Sequence, residues 1–145
     1  MPQFSAMDDD CQVIAVAGRT GFAHYSINSR RWRLFGNESQ EKDFIVTGGM
    51  MWWRTYVVMG CYNLNEMSDE LRVYNSDAKL DDSTCKKIKM GAQIIQINGN
   101  GHETILYTSD NIITIYSLEV DKAASKKAVA LMTIKTLFLR HLTLL

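Results

Sequence analysis

The sequence predicts an all-β fold of consecutive four-stranded antiparallel β-propeller blades of the WD-like type, too few to close a ring. Three observations predict it. Short runs rich in Val, Ile, Tyr and Trp follow one another along the chain, Gly- and Asn-rich segments separate them, and a strand–turn–strand unit recurs at about the length of one blade. The 145 residues, 46% hydrophobic and 22% charged with a single proline, have the make-up of one domain or a piece of a larger protein, and exclude a disordered tail. Sixteen basic residues balance sixteen acidic ones, so no excess charge draws the chain to nucleic acid or to an acidic membrane surface.

In chain order, strands are predicted at Val13–Ala17, Phe22–Ile27, Arg31–Phe35, Phe44–Thr47, Thr55–Cys61, Leu71–Tyr74, Ile94–Ile97, Thr104–Thr108 and Ile112–Leu118, because β-branched and aromatic residues fit a pleated, half-buried surface. Gly18-Arg19-Thr20-Gly21, Asn28-Ser29, Gly36-Asn37, Gly48-Gly49, Asn98-Gly99-Asn100-Gly101 and Ser109-Asp110-Asn111 read as the turns between them. Short strands joined this way imply antiparallel hairpins. No long segment before the last twenty or so residues sustains a helical period.

Val13–Ser26, Tyr56–Asn75 and Thr104–Ser117 each run apolar strand, turn, apolar strand ending in Tyr. Tyr25, Tyr74 and Tyr116 stand 49 and 42 residues apart, which brackets the ~40–50 residues of a four-stranded blade. Arg31–Gly36 and Lys86–Gly91 follow the first two tyrosine strands and supply further strands, with apolar runs at Phe44–Thr47 and Gln93–Ile97 after them. The second unit is therefore complete. The first needs an inner strand from the leader, residues 1–12, and the third an outer strand at Ala128–Ile134. Residues 13–120 form the blade segment, of about two to three blades, and 121–145 an outer strand or divergent tail. Closed propellers have about four to eight blades, so this segment belongs to a longer protein or an assembly.

Phe22-Ala23-His24-Tyr25-Ser26, Trp32-Arg33-Leu34-Phe35-Gly36-Asn37, Ile45-Val46-Thr47-Gly48-Gly49 with Trp52-Trp53, Cys61-Tyr62-Asn63 and Glu70-Leu71-Arg72-Val73-Tyr74 together resemble the ribosome-control-protein-one family. The resemblance is dense over 13–74 and returns at Thr104–Glu119; Asp121–Leu145 carries no family motif. Members are large propeller-bearing subunits of a Golgi exchange-factor complex. The resemblance implies an arrestin-like partner subunit, promotion of GDP release from a Rab-type small GTPase (Rab six), and a place in retrograde endosome-to-Golgi and intra-Golgi transport. It also implies a cytoplasmic location, with peripheral, indirect attachment to Golgi membrane. The residues alone leave open a generic WD-like interaction module unrelated to Golgi traffic.

For partner binding the candidates are Trp52 and Trp53, since aromatic residues at a propeller rim anchor partners through area and a polar edge. Adjacent residues of a strand point to opposite faces, so at least one of the two is expected in the core. Arg30-Arg31-Trp32-Arg33 imitates a nucleic-acid patch, but alternation puts Arg31 and Arg33 on one face and Trp32 on the other, as a partly solvated outer strand requires. Asn98–His102 lacks the Lys-Ser or Lys-Thr of a phosphate loop and reads as a hairpin loop; His102-Glu103 has no second His four residues after the first.

His24, His102 and His141 lie in unrelated contexts, and Cys11, Cys61 and Cys85 form no CxxC pair, so no metal site or Cys–His nucleophile is predicted. Sparse, unpaired cysteines fit a reducing compartment. The carboxylates of Glu66–Glu70 and Asp77–Asp82 are expected in solvated loops and miss the calcium-loop spacing. Asn37-Glu38-Ser39 is a glycosylation sequon, expected to stay unmodified because Met1–Asp10 has no signal-peptide character. Lys135 and Arg140 interrupt the apolar run Ala128–Leu145, which is not read as a membrane span. No cofactor and no catalytic residue is predicted.

Overall fold

The strand-rich sequence folds, in a computed structural model, into three antiparallel sheets of four strands each, taken consecutively along the chain. Residues 4–121 and 128–138 are described. The first sheet comprises β1 (Phe4–Met7), β2 (Val13–Ala17), β3 (Phe22–Ser26) and β4 (Arg31–Arg33). The second comprises β5 (Phe44–Trp53), β6 (Tyr56–Asn63), β7 (Ser68–Asn75) and β8 (Lys86–Lys89). The third comprises β9 (Ile94–Asn100), β10 (Glu103–Thr108), β11 (Ile112–Asp121) and β12 (Ala128–Phe138). Each is a meander in spatial order, which is the blade pattern the repeat predicts.

β5 lies beside both β1 and β9, so the first strands of the three sheets are the inner ones, and β4, β8 and β12 are the outer strands. The sheets pack face to face. One apolar cluster, including Ala15, Phe22, Phe44, Met59 and Tyr74, joins the first sheet to the second. Another, including Val58, Leu71, Ile94, Leu106 and Leu118, joins the second to the third. The middle sheet is therefore covered on both faces, which explains why Tyr56–Cys61 is a continuous buried run instead of an alternating one. The three repeat tyrosines occupy the third strand of their sheets and pair with Ile14, Val57 and Thr104 of the second strand.

The leader supplies the inner strand that the first unit needs: Phe4–Met7 pairs with Ile14–Ala17. Gly48-Gly49 is not a turn. β5 runs through it to Trp53, with the register against β6 shifting between Val46 and Met50, a bulge in which Gly49 adopts φ +95°. Gly48 also lets the third sheet come close, since a Cβ there would lie 2.5 Å from the Ile94 carbonyl oxygen. The expected loop at Asn98–His102 is narrower: β9 continues to Asn100, and Gly101-His102 alone form the turn, with Gly101 at φ +61°.

The link between the first two sheets holds one short helix, α1 (Glu38–Glu41), that no periodicity announced. Its cap is the sequon residue: Asn37 Oδ1 accepts from the Ser39 N–H at 2.9 Å and from the Ser39 hydroxyl. β4 is shorter than Arg31–Phe35, and Phe35 instead leaves the strand to enter the first core cluster. β12 extends beyond the predicted Ala128–Ile134 to Phe138, giving three complete sheets. His141 lies outside the described residues.

Candidate functional site

The inner strands bring residues from all three sheets to one recess of about 650 Å³. Ala6 and Met7 of β1, Met50–Trp53 of β5 with Arg54 after it, and Gly99 of β9 with Gly101 and His102 line it. Both candidate tryptophans border this space, but their indoles are buried on opposite sides of the middle sheet. Trp52 sits in the first core cluster, and its Nε1–H donates to the Ala6 carbonyl at 2.8 Å, tying β5 to β1. Trp53 sits in the second cluster, stacks on Tyr56 with centroids 5.5 Å apart, and meets the His102 ring edge-on at 6.3 Å. The Arg54 guanidinium lies 4.9 Å from the Trp53 ring centroid. Packing thus claims both residues; what a partner could reach is their recess-side edge, with Arg54 and His102 as the polar rim.

The acidic cluster contains a feature sequence reasoning missed. Glu70 is not in a solvated loop; it lies on β7 and is 4% exposed, with Arg72 fully buried beside it and Arg72 Nε donating to Glu70 Oε1 at 2.5 Å. Glu70, Arg72 and Tyr74 alternate along β7 onto the face that meets the first sheet. Arg72 Nη1 donates to the Tyr74 hydroxyl at 2.9 Å, and that hydroxyl donates to Asp82 Oδ1 at 3.2 Å. Lys87 Nζ completes the chain on Asp82 Oδ2 at 3.2 Å. The guanidinium also covers the Phe44 ring at 4.0 Å, and Phe22, Phe35 and Phe44 surround Tyr74.

Burial opposes charge on Arg72, but Tyr74 and Glu70 outweigh it and hold the guanidinium protonated; burial pushes the Tyr74 phenol far up. Neither group is poised to exchange a proton near neutral pH. The signal that could have exposed the pairing is the Glu-x-Arg-x-Tyr spacing, which places three polar groups on one face of a strand that also carries Leu71 and Val73.

The remaining reactive residues are scattered. Cys61 is buried and its thiol is pushed well up by burial; Cys85 is half-buried and likewise raised, whereas Cys11 is exposed. His24 is buried, its Nε2 has no hydrogen-bond partner among the described residues, and burial, with Arg33 adding to it, lowers its pKa to about 4. Among the described residues no group of three or more His, Cys, Asp and Glu side chains could hold a metal ion, and no helix is long and apolar enough to cross a membrane. In Arg31-Trp32-Arg33 the two faces separate as alternation requires. Arg33 turns to the second sheet, donating to the Ser76 and Ala78 carbonyls at 3.2 Å, while Trp32 stands 57% exposed on the other side.

Against known proteins, residues 2–143 match the family described as the RIC1 second beta propeller domain. The chain belongs to this family. The match takes in the tail after Asp121, in which the sequence showed no family motif. Named relatives include the guanine nucleotide exchange factor subunit RIC1 of Homo sapiens, 42% identical over 117 residues, and that of Mus musculus, 40% identical over the same length. Each alignment covers 81% of this chain and 8% of the relative. The subunit ric1 of Schizosaccharomyces pombe is 26% identical over 113 residues, 77% of this chain and 11% of its own length. The chain therefore spans about a tenth or less of these relatives. In this chain the Glu70-Leu71-Arg72-Val73-Tyr74 strand that carried the resemblance puts Tyr74 against Phe22 and Phe35, where the second sheet meets the first.

Proposed function

We propose that the chain is a non-catalytic scaffold segment of a guanine nucleotide exchange factor subunit, working as part of a complex with an arrestin-like partner subunit on a Rab-type small GTPase. Its setting is peripheral on Golgi membrane, in retrograde and intra-Golgi transport, with attachment to the membrane indirect. The RIC1 propeller match carries this reading. It is supported by the fate of the ionisable groups: Glu70, Arg72, Tyr74 and Asp82 are engaged with one another between sheets. Displacing nucleotide and magnesium from a GTPase needs contacts from outside this segment, and the three-sheet unit contributes surface, with the recess edge at Trp52 and Trp53 as the partner contact.

Nucleotide release from a fluorescently loaded Rab six-type GTPase, measured with the purified chain alone, is expected to proceed at the intrinsic rate. Acceleration by the chain alone would overturn the scaffold reading. Capture of the arrestin-like subunit by the chain, weakened by Arg54→Ala at the recess rim, is the expected positive result; capture untouched by that change would move the contact elsewhere.

A further inference from the structure

The first and second sheets leave a cleft of about 390 Å³ between them at the outer strand β4. Both of its walls belong to this chain, because it opens on the face of the first sheet that meets the second. One part of that face, Ala15, Ala17 and Phe22, is packed in the first core cluster. The other part is polar: His24 and Ser26 of β3 stand directly opposite Arg33 and Arg31 of β4.

His24 forms the floor of the cleft, 5% exposed and with its Nε2 lacking a hydrogen-bond partner among the described residues. Arg31 and Arg33 stand at the exposed mouth. Arg33 is held there by its Nη1, which donates to the Ser76 and Ala78 carbonyls after β7. Among the described residues neither arginine is in an ion pair, although Asp77 also borders the cleft. Ser26 and Ser29 add hydroxyl groups. Two guanidinium groups, two hydroxyls and a buried imidazole thus converge on a space with one carboxylate at its edge, and a buried polar group left without a partner is costly.

We propose that this cleft binds a phosphorylated side chain of a partner protein, with the phosphoryl group seated between Arg31 and Arg33 above His24. A phosphate monoester brings a charge of about −1.5 to −2 at neutral pH and three strong acceptor oxygens, enough for two guanidinium groups and a hydroxyl together, where a carboxylate brings one charge and two oxygens. The loop carbonyls that hold Arg33 fix it in advance, so little order is lost on binding. A lipid surface is a poorer occupant: sixteen basic residues balance sixteen acidic ones over the chain, and Asp77 at the mouth would face the membrane. The cleft is separate from the recess at Trp52 and Trp53 and does not rest on it.

Fluorescence anisotropy with the full chain and a short, otherwise uncharged peptide carrying one phosphoserine tests this. The phosphopeptide is expected to bind, and its twins with serine or aspartate in that place to bind at least about tenfold more weakly. Equal binding of the aspartate peptide overturns phosphate recognition. Arg31→Gln is expected to weaken binding about tenfold, the loss of one charge-assisted contact, whereas Arg19→Gln, which removes an exposed charge outside the cleft, is expected to leave it unchanged. Asp77→Asn takes away the carboxylate at the mouth and is expected to tighten binding, a gain that misfolding cannot imitate. Equal losses from Arg31→Gln and Arg19→Gln, or no gain from Asp77→Asn, overturn the site in favour of diffuse attraction. Inorganic phosphate that matches the peptide's affinity, or phosphatidylcholine vesicles doped with phosphatidic acid that hold the chain more tightly than the peptide does, overturns a protein as the source of the phosphoryl group.

Discussion

The two interfaces inside the stack solve one problem by different means. Between the first and second sheets, a buried ion pair, a phenol and three phenylalanines interlock, with Arg72 sandwiched between Glu70 and the Phe44 ring. Between the second and third, aliphatic side chains mesh with Trp53, Tyr56 and Tyr116, and Ile94 presses against Gly48 and Gly60, whose missing side chains make the room. The first interface buries a charge that the second sheet pairs on its own surface, so it requires Glu70 and Asp82 to satisfy Arg72 before Phe22 and Phe35 close over Tyr74. The second depends more on shape: its side-chain hydrogen bonds across the sheets run to sulfur, Thr104 to Met51 and Tyr116 to Met90, and the close approach of Ile94 sets the spacing.

The sharpest way to break the first interface is Arg72→Met, which leaves Glu70 buried without its cation. It is expected to cost about 3–5 kcal/mol in denaturant unfolding, and Glu70→Leu added to it is expected to recover most of that loss. A single-variant cost near that of an exposed residue would show that aromatic packing alone holds these sheets.

His24 offers a titration of the same interface without mutation. Its folded pKa of about 4 lies below the ordinary 6.5, so the unfolded chain binds the proton more readily between those values. Stability is full above about pH 6.5, falls as the pH drops, and by pH 4 has lost no more than about 3 kcal/mol. His24→Gln is expected to flatten that part of the stability–pH curve; an unchanged slope would assign it to other groups.

Strand existence, order and grouping were legible because alternation and turn residues are local signals. The middle sheet's completeness and the tyrosine repeat are visible in the residues alone. Less legible were features decided by neighbours in space. Gly48-Gly49 has turn chemistry, yet the approach of Ile94 and the continuation to Trp53 make it a bulge. Glu70 belongs to an acidic stretch, yet a buried arginine two residues on takes it into the core. Trp52 and Trp53 could be divided between faces by alternation, but only the presence of a sheet on each side shows that both faces are interior.

The shape-dependent interface yields to smaller changes. Gly48→Ala places a Cβ 2.5 Å from the Ile94 carbonyl oxygen, a backbone atom that side-chain trimming cannot move. The expected cost is about 1–3 kcal/mol, undiminished by Ile94→Ala. Rescue by that second change would mean that the side chain, not the backbone, sets the spacing between these sheets.

The smallest effect is a rate rather than a stability, and it separates the interfaces in the unmodified chain. Cys61 lies in the first–second cluster with its thiol raised by burial, so alkylation must wait for that interface to open, whereas Cys11 reacts from the surface. At mildly alkaline pH, peptide mass mapping is expected to find Cys11 modified first and Cys61 last. Arg72→Met should speed Cys61 labelling more than Gly48→Ala does, because it loosens the sheets on Cys61's own side of β6. Equal acceleration by both would mean that the three sheets open as one unit, and the two interfaces would then differ in construction but not in mechanical independence.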